Sequence, residues 1–165
     1  MLRHKIMLPV FVSLLILGCS TRPPATVVKT TKSKPAPVSL ASMEASILQE
    51  VNKYRTAHGL SPLKDNSILD TEAALHSQQM ASKQVPFGHQ GYATRMSRID
   101  QRLGGIKASA ENVAYGNMTA REVVQSWLKS APHKKNIAGP YTLSGIGVSL
   151  DKQGIIYFTQ IFTQQ

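Results

Sequence analysis

The sequence predicts an α+β fold, with helices packed on both faces of a small antiparallel sheet. Two patterns carry that expectation. Apolar residues recur at helical spacing as far as Leu128, whereas from Tyr141 onward β-branched and aromatic residues fill two runs separated by a turn. Length is the third observation. A chain of 165 residues with a single Cys has room for one domain, and at that size one core removes about two thirds of the unfolded surface from water without disulfides or a structural metal.

Each element follows from local signals. Ile47, Leu48, Val51 and Tyr54 share one helical face that closes at Gly59. Between Asn66 and Lys83, the residues Leu69, Ala73, His76 and Met80 line a second helix, with Ile68 and Leu75 beside them. Met96, Ile99 and Leu103 mark a shorter helix ending at Gly104-Gly105, and Thr119-Ala-Arg-Glu122 is a capping box that opens a helix carrying Val123, Val124, Trp127 and Leu128. Tyr141 to Leu150 and Ile155 to Thr163 then form an antiparallel hairpin across Asp151-Lys-Gln-Gly154, with Ser109 to Tyr115 as a third strand. Gly145 and Gly147 let a helix or another backbone come close to the sheet.

The N-terminal residues read as export chemistry. Residues 1–18 carry Arg3 and Lys5, then an apolar run from Ile6 to Leu17, the pattern of a secretory signal peptide. That run is too short to cross about 30 Å of hydrocarbon as a helix. Leu15-Ile16-Leu17-Gly18-Cys19 resembles the lipobox of bacterial lipoproteins, which implies a lipidated Cys19 as the first mature residue and a membrane anchor through its acyl chains. Serine, not aspartate, follows the cysteine, which by resemblance to lipoprotein sorting implies the outer membrane if the host is Gram-negative. Residues 19–39 hold four Pro, four Thr and four basic residues with no acid or aromatic, the composition of a disordered tether. Residues 40–165 form the domain.

Charge excludes one class of partner. The whole chain is formally +10, but 13 basic and 9 acidic residues within 40–165 leave the domain at only +4, with no basic stripe interleaved with aromatics. Nucleic acid is not an expected partner.

The residues with chemical potential are His89, Glu111, Ser130 and His133, in Pro86-Phe87-Gly88-His89, Glu111-Asn112-Val113 and Trp127-Leu-Lys-Ser130-Ala-Pro-His133-Lys-Lys-Asn136. No HExxH, GxSxG or CxxC motif accompanies them. Two neutral imidazoles and a carboxylate make a three-ligand set for zinc with a fourth position open to water. The same groups also suit a hydrogen-bonded network with Glu111 capping amides or pairing with His133. A third drawing makes Ser130 a nucleophile, His133 its base and Glu111 the orienter. His76 reads as a packing histidine on an apolar face, Trp127 as a core anchor, His58 as a partner for the carbonyl end of its helix, and Asn136 as ordering the turn after His133.

A longer set of residues resembles a known family. Asn52-x-x-Arg55-x-x-x-Gly59-Leu-x-Pro62-Leu63, His76-Ser77-x-x-Met80-Ala81, Gly88-His89, Glu111-Asn112-Val113-Ala114, Trp127-x-x-Ser130-x-x-His133-x-x-Asn136-Ile137, Gly145-Ile-Gly147-Val and Thr159-Gln160-x-Phe162 are together similar to the bacterial branch of the CAP (SCP-like) superfamily, from about residue 44 to the end. The resemblance implies an α-β-α sandwich with a surface cleft of two histidines and one or two glutamates, which in some members takes a divalent cation. On the matching positions His89 and His133 are the histidines and Glu111 the carboxylate; Ser130 stands where many eukaryotic members carry a second glutamate, so the tetrad is incomplete. The expected function is a non-catalytic cell-envelope lipoprotein whose cleft binds a lipid or cell-wall component. The alternative is a divalent-metal-assisted hydrolase, zinc being the expected ion, acting on envelope peptide or glycan.

Overall fold

The computed structural model describes residues 39–165; the expected signal peptide, Cys19 and all of the tether but Ser39 lie outside the described residues. The first helix, α1 (Leu40–Ala57), starts where the Ser39 hydroxyl accepts the Ser42 N–H, and buries Ile47, Val51 and Arg55 along one stripe. A two-residue strand β1 (Lys64–Asp65) leads into α2 (Ser67–Ala81), whose cap Asn66 accepts from the Ile68 and Leu69 amides. After α3 (Tyr92–Leu103), closed by Gly104 at φ 76°, come β2 (Ala108–Gly116) and α4 (Ala120–Lys129), with the Thr119/Glu122 capping box formed. A short α5 (Ala131–Ile137) precedes the hairpin β3 (Leu143–Leu150) and β4 (Ile156–Gln164).

The sheet order is β1-β3-β4-β2. The β2/β4 and β3/β4 pairs are antiparallel, with Glu111 opposite Ile161 and Ile161 opposite Gly145. Two features go beyond the expected elements. β1 pairs parallel to β3 through Lys64 and Asp65 alone, a run too short to show a period of two. Beyond α4, where a turn after His133 was expected, the chain forms a further helix with Pro132 in its first turn.

Alternation along the strands sends side chains to two cores. Ile146, Val148, Phe158 and Phe162 pack against Ile47 and Val51 of α1 and Val123, Val124 and Trp127 of α4. On the opposite face Ile161 packs with Leu69 and Ala73 of α2 and Met96 and Ile99 of α3. The predicted close approach is real: a Cβ on Gly145 would stand 2.3 Å from Leu69 and Asp70 backbone atoms, and one on Gly147 would stand 2.0 Å from the Ala74 nitrogen. Two glycines therefore set the depth at which α2 lies on the sheet. Buried Arg55 ties the α1 end to the α5–β3 connection, donating to the carbonyls of Ser61, Ile137, Gly139 and Tyr141.

Candidate functional site

The site forms along β2, an edge strand, where Glu111 faces α3 and the loop before it. Its carboxylate is buried and fully engaged. Arg95 Nε donates to Oε2 at 2.9 Å and Arg95 Nη2 donates to Oε1 at 2.9 Å and Oε2 at 2.7 Å, a fork on both oxygens. His89 Nδ1 donates to Oε1 at 2.8 Å. Because a carboxylate only accepts, that bond fixes the proton on Nδ1 and leaves Nε2 of the half-exposed ring as an acceptor with no hydrogen bond among the described residues.

A second histidine supports the first. His76, fully buried on α2, donates from Nε2 to the Gly88 carbonyl at 2.8 Å, and so pins the backbone next to His89. The same Nε2 lies 3.9 Å from Glu111 Oε1, beyond hydrogen-bond reach. Burial pushes the His76 imidazole below its ordinary value, and its Nδ1 lone pair has no partner. His76 is therefore a neutral donor that positions the loop.

The loop runs beside β2 in steps: Phe87 meets Tyr115, His89 meets Glu111, and the Tyr92 hydroxyl bonds the Ser109 hydroxyl at 2.7 Å. The other side of the strand is held by α5. Asn136 Nδ2 donates to the Glu111 carbonyl at 3.2 Å and to Asn112 Oδ1 at 2.8 Å, while Asn112 Nδ2 donates to the His133 carbonyl at 3.2 Å. Between loop and helix lies an open cleft of about 350 Å³ lined by His89, Tyr92, Ser109, Ala110, Glu111 and Asn136. Burial pushes the half-buried His133 imidazole down, and the nearby His89 ring pushes the same way.

A model of the cysteine-rich secretory protein (CAP) family matches residues 48–162. The chain belongs to this family. This CAP chain is 33% identical over 143 residues to the uncharacterized protein YkwD of Bacillus subtilis, a match covering 86% of the chain and 55% of the relative, so it spans about half the length of the curated relative it matches. Among solved structures it is similar to a cysteine-rich secretory protein of Staphylococcus aureus, at 25% identity and TM-score 0.64 over 81% of this chain and 42% of that one. An extracellular SCP-domain protein of Bacillus anthracis follows at 26% identity and TM-score 0.60, over 81% and 45%. An outer surface protein of Borrelia burgdorferi shares the fold at 19% identity and TM-score 0.69, over 78% of this chain and 96% of that one.

Within this CAP domain His89 and Glu111 meet directly and His133 lies near the His89 ring, but Glu111 pairs with Arg95 and His89 rather than with His133. Ser130 joins α4 to α5, and its hydroxyl makes no cap bond. The Ser130–His133–Glu111 relay is therefore not assembled, because its orienting carboxylate is committed elsewhere. The zinc donor set fits no better. Both Glu111 oxygens are neutralised by a guanidinium, and among the described residues no three His, Cys, Asp or Glu side chains are grouped to hold a metal ion.

Sequence reasoning missed Arg95 and read His76 only as packing. Arg95 was detectable: it stands four residues before Ile99, on the buried stripe of α3, where a cation needs a buried partner. Asn136 also does more than order a turn, since it lies inside α5 and ties that helix to β2. Trp127 is the expected core anchor, fully buried with Nε1 donating to the Val113 carbonyl.

Proposed function

We propose that this protein is an exported cell-envelope module, fastened to a membrane through lipidated Cys19, whose cleft binds a polar cell-wall component without transforming it. One observation carries the reading: the Glu111 carboxylate is locked by Arg95 and His89. A carboxylate with both oxygens saturated by a guanidinium is a poor nucleophile, base or metal ligand, yet it holds the His89 ring in one orientation with Nε2 left as an acceptor.

The His89 ring and the paired Tyr92 and Ser109 hydroxyls line the cleft and give a polar ligand groups to meet. Export is supported by its structural neighbours, which include a secretory, an extracellular and an outer surface protein.

The test is titration of the full-length protein in detergent with muropeptides and, separately, with lipid vesicles. Muropeptide binding that is lost in His89→Ala, with no turnover by mass spectrometry, is expected. Binding to vesicles that is likewise lost in His89→Ala would reassign the ligand to lipid, and cleaved muropeptide would make the protein a hydrolase.

A further inference from the structure

A second surface, apart from the cleft, has its own recognition chemistry. Phe87 and Tyr115 are about half exposed, at 48% and 56%, unlike the buried Trp127, Phe158 and Phe162. Their rings touch edge to face at 4.7 Å, and Tyr115 lies nearly parallel to Tyr157 at 5.7 Å and 21°. Tyr115 is directly opposite Tyr157, and Tyr157 is opposite Ser149, so the row crosses the end of the sheet on one face. At Ser149 it meets a cavity of about 530 Å³, lined also by Gln78, Lys83, Lys152 and Gln153.

The two lysines are free to meet an anion. Neither is in an ion pair among the described residues, and the adjacent Asp151 carboxylate accepts the Gln153 and Ile155 amides of its own turn. Lys83 also occupies a costly position. It has φ 60° in the motif that ends α2, where its N–H bonds the Met80 carbonyl and the Gln84 N–H bonds the Gln79 carbonyl. Glycine is the residue that this geometry favours. A lysine there gives up stability and brings a cation to the cavity that Ser149 also lines.

We infer that this end of the sheet binds an acidic glycan, with a hexose ring stacked on the Phe87–Tyr115–Tyr157 row and its carboxylate met by Lys83 and Lys152. Aromatic faces match the C–H faces of a pyranose, and the amides of Gln78 and Gln153 match its hydroxyls. A second copy of the chain fits less well. Two half-exposed rings and the more buried Tyr157 offer at most roughly 300 Å², against about 800 Å² per partner in a stable interface. The inference stands independently of the cleft reading.

The experiment titrates the full-length protein in detergent with tetragalacturonate, using calorimetry, with polyglutamate of equal charge, neutral chitotetraose and oligo(dT) as comparisons. Tetragalacturonate is expected to bind best. Tyr115→Ala is expected to weaken it about tenfold, the effect of one lost stacking face. Lys83→Gly is expected to weaken it while raising the melting temperature, a pairing that damage to the fold cannot produce. Equal or tighter binding of polyglutamate or oligo(dT), full affinity in Tyr115→Ala of native melting temperature, or no binding at millimolar tetragalacturonate would overturn the inference.

Discussion

Replacing Arg95 with Met strands the Glu111 carboxylate. In the native protein the two side chains are 3% and 1% exposed and share three hydrogen bonds, and Arg95 also donates to the Gln90 carbonyl at 3.0 Å. Losing one partner of such a pair costs about 3 to 5 kcal/mol, because a buried charge is left uncompensated. The carboxyl can escape by taking up a proton, which for an ordinary glutamate at pH 7 costs about 3.7 kcal/mol and at pH 5 about 1 kcal/mol. The stranded acid holds its proton more tightly when folded than when unfolded, so the deficit of the variant shrinks as pH falls. Urea denaturation across that range measures it, with the m-value reporting any change in the states compared. Adding Glu111→Gln removes the stranded charge and restores part of the loss at pH 7. A deficit below about 1 kcal/mol at pH 7, as for a surface pair, or one independent of pH, would refute the reasoning.

Three further outcomes are expected. Gly147→Ala places a methyl against the α2 backbone at Ala73 and Ala74, where no flexible side chain can yield, and destabilises the fold by about 1 to 3 kcal/mol or more in urea titration. His76→Phe leaves the Gly88 carbonyl without its donor; a loss of about 1 to 3 kcal/mol is expected, with faster hydrogen exchange over residues 86–91, and unchanged exchange there would end the positioning role. Asp70, whose Oδ1 accepts the Ile146 amide, is pushed up to about 6 by burial and by the charges of Asp65 and Glu44. The folded state then holds that proton more tightly, so stability falls as pH rises from the ordinary aspartate range to about 6. Asp70→Asn should therefore melt higher than the native protein at pH 7.5 but not at pH 4.

The helices and hairpin were legible because each has a local cause. The Thr119/Glu122 box, the Ile47–Val51 stripe and the Asp151–Gly154 turn act within a few residues, so sequence spacing displays them. β1 and α5 were less legible for the same reason. β1 has two residues and exists only through its pairing with β3, and α5 is seven residues whose place is fixed by Asn136 on β2 and by Arg55 on the carbonyls around Ile137.

For the site, sequence alone determined the residue types and their elements: a histidine after a glycine, a glutamate on a strand, and a serine and histidine beyond the Trp127 helix. It also determined that Gly145 and Gly147 admit a helix, since only a missing Cβ allows that approach. The pairing of those groups was decided by tertiary structure. Arg95 and Glu111 are 16 residues apart and belong to different elements, and the carboxylate's role depends on whether a cation reaches it in the folded state. Charge, burial and hydrogen-bond geometry are properties of that three-dimensional neighbourhood, and they turn an expected metal ligand into the anchor of a histidine.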